Sequence, residues 1–144
     1  STLVSEHCTS DAQNFYFIIN DILYKIDENL RLYENKYFEG KPAKLKQMLL
    51  AGNEIVVVGR YNESKKMYFF DKNLNFTSYK PISEPVLVQG MSFIDQKFWV
   101  HTPNGTWVYP QDSRTSEKVY LKDKSIASVL KDRQSNYWFS TTNE

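Results

Sequence analysis

The chain has little of several residue types on which other classes of protein depend. Its 144 residues include a single cysteine, so no disulfide can form within the chain. With that cysteine and only two histidines it is also poor in metal ligands, and we predict no metal site and no cofactor. No apolar run approaches the roughly eighteen residues that a membrane-spanning helix needs.

The net charge is small, and glycine is scarce as well. The formal net charge is +1, and no long basic run occurs, so we predict no nucleic-acid partner. Lys41, Lys44 and Lys46 form one small basic cluster, which we interpret as a solvated face. Only five glycines are present, and none of them forms the glycine-rich loop that cradles phosphate groups.

The sequence offers no convincing catalytic set. His7 and Cys8 are neighbours, but adjacent residues of a strand point to opposite faces. His101 lies on a predicted strand, where we expect a packed or surface histidine. The carboxylates available for acid–base work fall in predicted turns or on polar edges, and nothing pairs any two of them: Asp112, Glu117, Asp123 and Asp132. We therefore predict no catalytic residues and a chain that is not an enzyme by itself.

Aromatic residues, at 15% of the chain, are abundant, and they favour strands. Four aromatic or aliphatic runs recur along the sequence, at 14–19, 54–59, 97–102 and 136–141. When Tyr16, Val56, Trp99 and Trp138 are aligned, the steps are 40, 43 and 39 residues. A fixed period of this length is the mark of a repeat architecture.

Each run continues into a turn and a second run. The predicted turns are Asn20–Asp21, Tyr61–Lys65 and Asn104–Gly105, and the last is a strong hairpin signal because both residues tolerate positive φ. Third strands are predicted at 30–37, 74–80 and 117–122, and strands leading into the next unit at 45–51, 86–94 and 125–131. A short helix is the alternative over 44–51, since Leu45, Met48 and Leu49 have helical spacing.

Four antiparallel strands in about forty residues is the composition of one β-propeller blade. The fold class predicted is all-β, with blades at about 1–40, 41–83, 84–123 and an incomplete one at 124–144. Propellers close with four to eight blades, so we expect a fragment of a larger propeller. The second strand of each unit is apolar almost throughout, which suits burial on both faces.

The segment Ile126–Thr141 resembles the two-component regulator propeller repeat, with Asp132-Arg133, Asn136, Trp138 and Thr141 in matching places. Ser135 and Ser140 stand where that family usually has glycine. Met91–Tyr109 is similar to a second, looser copy, whereas the two earlier units lack the tryptophan and the threonine. In this motif we expect Trp99 and Trp138 to pack between blades and Asp95 and Asp132 to accept hydrogen bonds from backbone amides of the following turn.

The resemblance implies the extracytoplasmic, periplasmic sensor region of a hybrid histidine kinase of the type found in Bacteroidetes. Such regions bind oligosaccharides, commonly form homodimers, and belong to membrane-anchored proteins. The loops at one face of the propeller would carry the ligand, and there we predict a site of Arg60, Tyr61, Asn62 and Asn104. Two alternatives stay open: a fragment of a propeller-fold enzyme that degrades polysaccharides, and a purely structural propeller that holds a partner protein.

Overall fold

A computed structural model describes residues 8–35, 44–61, 64–82, 87–111 and 118–142. Within these residues the chain forms fourteen β-strands and no helix. The strands belong to two compact units, residues 1–82 and 83–144. Three sheets have four antiparallel strands each, and a fourth has two. The predicted fold class, all-β with four-stranded antiparallel units, is confirmed.

The first unit holds two sheets, each a meander in chain order. Sheet I consists of β1 (Cys8–Ser10), β2 (Phe15–Ile19), β3 (Ile22–Ile26) and β4 (Leu32–Asn35). Sheet II consists of β5 (Lys44–Ala51), β6 (Glu54–Tyr61), β7 (Ser64–Phe70) and β8 (Phe76–Ile82).

The second unit repeats this plan with one complete sheet and one hairpin. Sheet III consists of β9 (Gly90–Ile94), β10 (Lys97–Thr102), β11 (Gly105–Pro110) and β12 (Lys118–Tyr120). Hairpin IV consists of β13 (Ile126–Lys131) and β14 (Tyr137–Thr141).

Most of the predicted strands are confirmed to within a few residues, and the exceptions are informative. The short helix considered over 44–51 is wrong, because that segment is β5 and pairs with β6 along its length. Strand β1 was not predicted, since Cys8-Thr9-Ser10 contains no apolar run and is recognised only by its pairing with β2. Parts of three predicted strands, at 36–37, 86 and 117, lie outside the described residues.

The core of the first unit lies between sheets I and II. Sheet I contributes Tyr16, Ile18 and Leu23 from one face. Sheet II places its own apolar face against them, and Leu74 of the β7–β8 turn joins the buried residues of that face, which are Leu45, Met48, Ile55, Val57, Tyr68 and Phe70. Strand β6 is buried on both faces, because Val56 and Val58 are 0% and 1% exposed. The predicted two-sided burial is therefore confirmed for β6.

In the second unit, Trp99 fills the space between sheet III and hairpin IV. Its ring lies 5.5 Å from Tyr120 and 4.9 Å from Tyr137, measured between centroids. Its indole N–H donates to the carbonyl of Ile94 at 3.0 Å. The predicted packing of Trp99 between sheets is confirmed. Trp138 is 62% exposed, and among the described residues no further sheet covers that face of the hairpin, so the packing of Trp138 between blades stays a prediction.

Three hairpins share one aspartate-centred turn. In each, one carboxylate oxygen accepts the amide N–H groups two and four residues further on, as Asp132 does from Gln134 and Asn136, both at 2.9 Å. Asp27 and Asp71 make the equivalent pairs of bonds. These amides lower the pKa of Asp27 and Asp71, and the Trp138 indole N–H and the Asn136 amide lower that of Asp132.

The predicted role of Asp132 is therefore confirmed, but that of Asp95 is wrong. Asp95 and Gln96 both have positive φ, at 56° and 60°, so they form the central pair of a tight hairpin turn. In that position the Asp95 carboxylate points to hairpin IV, where it accepts Lys131 Nζ at 2.8 Å and the Tyr137 hydroxyl. It joins the two sheets of the second unit.

The turn between β10 and β11 also differs from the prediction. Its central residues are Pro103 and Asn104, because Thr102 pairs with Gly105 across the two strands. Proline fixes the φ of Pro103 at a negative value. Asn104 does not have a positive φ either, and among the residues of this turn Gly105 alone takes one, at 100°. Thr102 Oγ1 closes the turn by accepting the Asn104 amide at 3.0 Å.

Replacement of Leu30 by glycine should raise the free energy of unfolding by about 0.5–1 kcal/mol. Leu30 occupies the fourth position of the Asp27 turn at a φ of 62°, where a Cβ is strained, and its side chain is 84% exposed. Urea denaturation would measure the gain. Leu30→Ala is the control, since it keeps the strained Cβ and should change stability by less than about 0.5 kcal/mol. Equal gains from both variants would contradict a backbone origin.

Candidate functional site

The structure places the predicted ligand residues in different settings. Arg60 and Tyr61 are the last two residues of β6, at the end of sheet II that carries the β6–β7 connection. The side chain of Arg60 is exposed, and of Tyr61 only the backbone pairing with Ser64 is described. Asn62 lies outside the described residues. Asn104 belongs to the second unit, where it is exposed in the β10–β11 turn.

The strand register brings Arg60 together with two lysines. Lys44 of β5 is directly opposite Arg60, and Arg60 is directly opposite Lys65 of β7. Directly opposite residues of antiparallel strands project their side chains from the same face, with Cβ atoms about 4.5–5.5 Å apart. Lys44, Arg60 and Lys65 therefore form a line of three cations across sheet II, here termed the cationic row.

Electrostatic repulsion is built into the cationic row. Like charges directly opposite one another in a sheet are destabilising. Partial burial lowers the pKa of Lys65, and the nearby charges of Lys46 and Arg60 lower it further. Lys46 reaches this region because the pairing of β5 with β6 shifts register between Leu45 and Gln47, which leaves Lys46 in a bulge.

The backbone beneath the cationic row is firmly held. Val58 and Met67, which precede the row on the same sheet face, are 1% and 0% exposed. At the β5 end, Asp21 accepts the amide of Leu45 at 3.0 Å and forms an ion pair with Lys44 Nζ at 3.4 Å. The Lys44 side chain is nevertheless 75% exposed. The row thus combines two exposed cations, Lys44 and Arg60, and the half-buried Lys65 with a buried strand that fixes their spacing.

These side chains favour binding of oxygen-rich groups. The Arg60 guanidinium presents five N–H donors in a planar fork, and each lysine ammonium presents three. None of them accepts a hydrogen bond, so the row is matched to acceptors such as hydroxyl, carboxylate or sulfate oxygens. The cationic row does not supply a general acid and a general base.

His101 lies in the second unit between two hydroxyl groups. Its Nε2 is 3.1 Å from Ser92 Oγ, and its Nδ1 is 2.9 Å from Thr106 Oγ1. The imidazole is only 1% exposed, and burial lowers its pKa to about 4. A serine nucleophile needs a base whose imidazolium form is stabilised, commonly by a carboxylate, and here the third group is a neutral threonine. The contact is best explained as internal pairing of buried polar groups.

Other kinds of site find no support in the part of the chain that the structure describes. There, no three His, Cys, Asp or Glu side chains are grouped so that they could hold a metal ion. The described residues also contain no helix long and apolar enough to cross a membrane. His7, Lys41, Asp112 and Glu117 fall outside those residues.

Comparison with known proteins adds no family assignment. No protein-family model matches the chain, and no curated protein matches it. The geometry of the cationic row and the repeat itself are therefore the features that bear on function. Sequence reasoning identified Arg60, Lys44 and Lys46 separately but missed Lys65, which only the β6–β7 register brings beside Arg60.

Proposed function

We propose that this chain is an extracytoplasmic, ligand-sensing propeller segment of a two-component signalling protein and that its ligand is an oligosaccharide. The observation that carries the proposal is the cationic row, a set of hydrogen-bond donors, two exposed and one half-buried, at one end of sheet II. Rigid scaffolds that present polar groups at one end are a common arrangement for ligand binding. The resemblance of Ile126–Thr141 to the sensor repeat supplies the signalling context.

The remaining parts of the proposal follow from the same resemblance. The four-stranded sheets correspond to blades, and the ring that they would complete is part of the proposal. The parent protein would be anchored in the membrane, place this region in the periplasm and act as a homodimer. The segment would bind its ligand without transforming it, so no catalytic residue is assigned.

Oligosaccharide binding should depend on Arg60 and Tyr61. In calorimetric titrations of the chain with a panel of oligosaccharides, Arg60→Ala should weaken binding about tenfold or more, since it removes a charged hydrogen-bond donor. Tyr61→Ala should also weaken it, by removing a stacking surface at the end of the same strand. The matched control is Lys66→Ala, because the Lys66 ammonium lies 4.2 Å from the centroid of the Tyr79 ring, away from the row.

Two results would count against this assignment. Equal oligosaccharide affinity in the unsubstituted chain and in the Arg60 and Tyr61 variants would show that neither residue belongs to the site. A comparable loss in the Lys66 variant would show that the substitutions act through the stability of sheet II and not through contact with the ligand.

A structural role is the second candidate function, and one surface favours it. The outer face of sheet I carries a run of apolar side chains, with Phe15 40%, Ile19 48% and Leu32 60% exposed. Phe17 stacks between Phe15 and Tyr24 on that face, at centroid distances of 5.5 Å and 5.2 Å. An exposed apolar patch of this kind is typical of a surface that another protein segment covers. Self-association without oligosaccharide binding would favour this role.

A further inference from the structure

The internal repeat gives each sheet two faces of different kinds. The equivalent residues Tyr16, Val56, Trp99 and Trp138 lie on the second strand of their sheets. Adjacent residues of a strand point to opposite faces. The face that carries the equivalent residue is here termed the leading face of a sheet, and the face that carries the residue after it is termed the trailing face.

Each unit joins a leading face to a trailing face. In the first unit, Tyr16 on the leading face of sheet I packs in one core with Val57 on the trailing face of sheet II. In the second unit, Trp99 on the leading face of sheet III packs on Val129 and Phe139, which are opposite one another on the trailing face of hairpin IV. The same pairing of faces thus builds both cores.

One face of each kind stays exposed in the part of the chain that the structure describes. The trailing face of sheet I is its apolar outer face, on which Phe15 and Ile19 are 40% and 48% exposed beside Phe17. The leading face of hairpin IV carries Trp138 and, directly opposite on β13, Leu130, which are 62% and 65% exposed. Clustered exposed apolar side chains of this size mark a surface that binds protein.

We infer that the leading face of hairpin IV binds the trailing face of sheet I in a second copy of this chain. The contact continues the series of interfaces within the units, because it joins the same two kinds of face at equivalent repeat positions. The two copies use different surfaces, so the contact is head to tail, and each copy keeps one face for a further copy or for closure into a ring. The inference goes beyond ligand sensing and involves no residue of the cationic row.

The test follows the mass of the 144-residue chain by sedimentation velocity. Each open face has few large apolar side chains, so we expect weak association, with the weight-average mass rising as the concentration increases from about 5 µM to about 500 µM. Ile19→Lys places a charge on the trailing face and Trp138→Lys on the leading face, and each should weaken self-association at least about tenfold. The control is Leu87→Lys, since Leu87 is 51% exposed and lies outside the strands of both faces.

A mixture of the two face variants tests the head-to-tail geometry. The Ile19→Lys chain retains an intact leading face, and the Trp138→Lys chain retains an intact trailing face. An equimolar mixture should therefore form a 1:1 heterodimer under conditions in which each variant alone is monomeric. Circular dichroism spectra that match the unsubstituted chain show that both variants are folded.

Several results would overturn the inference. One is an unsubstituted chain that stays monomeric over the whole concentration range. Another is association that Ile19→Lys abolishes and Trp138→Lys leaves unchanged, because that pattern indicates a symmetric contact through sheet I alone. Equal weakening by Leu87→Lys, or a mixture that forms no heterodimer, would also contradict the proposed contact. None of these results affects oligosaccharide binding, which the titrations of Arg60→Ala test separately.

Discussion

Replacement of Trp99 by alanine is expected to lower the free energy of unfolding by about 3–5 kcal/mol. Trp99 is 2% exposed and packs with Val108 and Val129 in the core of the second unit. Its ring also contacts Tyr120, Tyr137 and Phe139. Truncation would leave a large cavity between sheet III and hairpin IV and would remove the bond to the Ile94 carbonyl. Urea denaturation followed by circular dichroism measures the loss.

Trp138 provides the matched control, because it occupies the equivalent position one repeat later. Its side chain is 62% exposed, and its indole N–H donates to the carboxylate of Asp132 at 2.8 Å. Trp138→Ala should therefore change the free energy of unfolding by less than about 1 kcal/mol. Equal losses from the two variants would show that repeat position, and not burial in this structure, determines the contribution.

Stability should also fall by about 3 kcal/mol between pH 7 and pH 4 because of His101 alone. Burial lowers the folded-state pKa of His101 to about 4, against an ordinary value of 6.5 that the unfolded chain recovers. Between pH 6.5 and about 4, His101 therefore binds a proton in the unfolded state but not in the folded state. The loss begins as the pH falls through 6.5 and is complete below about 4. The aspartates with lowered pKa values lose their contribution at lower pH, below about 3.8.

Urea denaturation at several pH values, with the parent chain and His101→Gln, isolates this effect. The variant should have a smaller free energy of unfolding near pH 7, where it lacks the paired imidazole, but a nearly flat dependence between pH 6.5 and pH 4. A direct NMR titration of the parent chain gives a second readout that does not require the variant to fold. An imidazole resonance of His101 that titrated near pH 6.5 would contradict the expectation.

The sequence predicted most of the architecture because the strands bury apolar residues in runs. Strand β6 is the clearest case: Ile55 to Val58 are all buried, and no alternating pattern was needed to recognise it. Short polar strands carry no such signal, which is why β1 was missed. The two tryptophans show a different limit. They match in sequence, but within the residues that the structure describes only Trp99 has the aromatic residues of a neighbouring sheet beside it.

The candidate site was less predictable, because register decides which side chains meet. Lys44, Arg60 and Lys65 come from three strands, and a shift of one residue in either pairing would turn a member of the row to the opposite face. The bulge at Lys46 is one such shift in register, and no feature of the local sequence predicts it. Arg60 was chosen for its place at a strand end, whereas its charged neighbours emerge only from the assembled sheet.

The aspartate-centred turns have a consequence for how the repeats can diverge. Each turn is specified by one carboxylate that satisfies two backbone amides, and a backbone amide is supplied by any residue except proline. Even the strained fourth position is occupied by residues of two different characters, leucine at Leu30 and Leu74 and serine at Ser135. Very little sequence information is thus needed to keep the hairpins superimposable, and the remaining positions are free to change. A repeat that is specified by so few residues can keep its shape after its copies have lost detectable sequence similarity to one another.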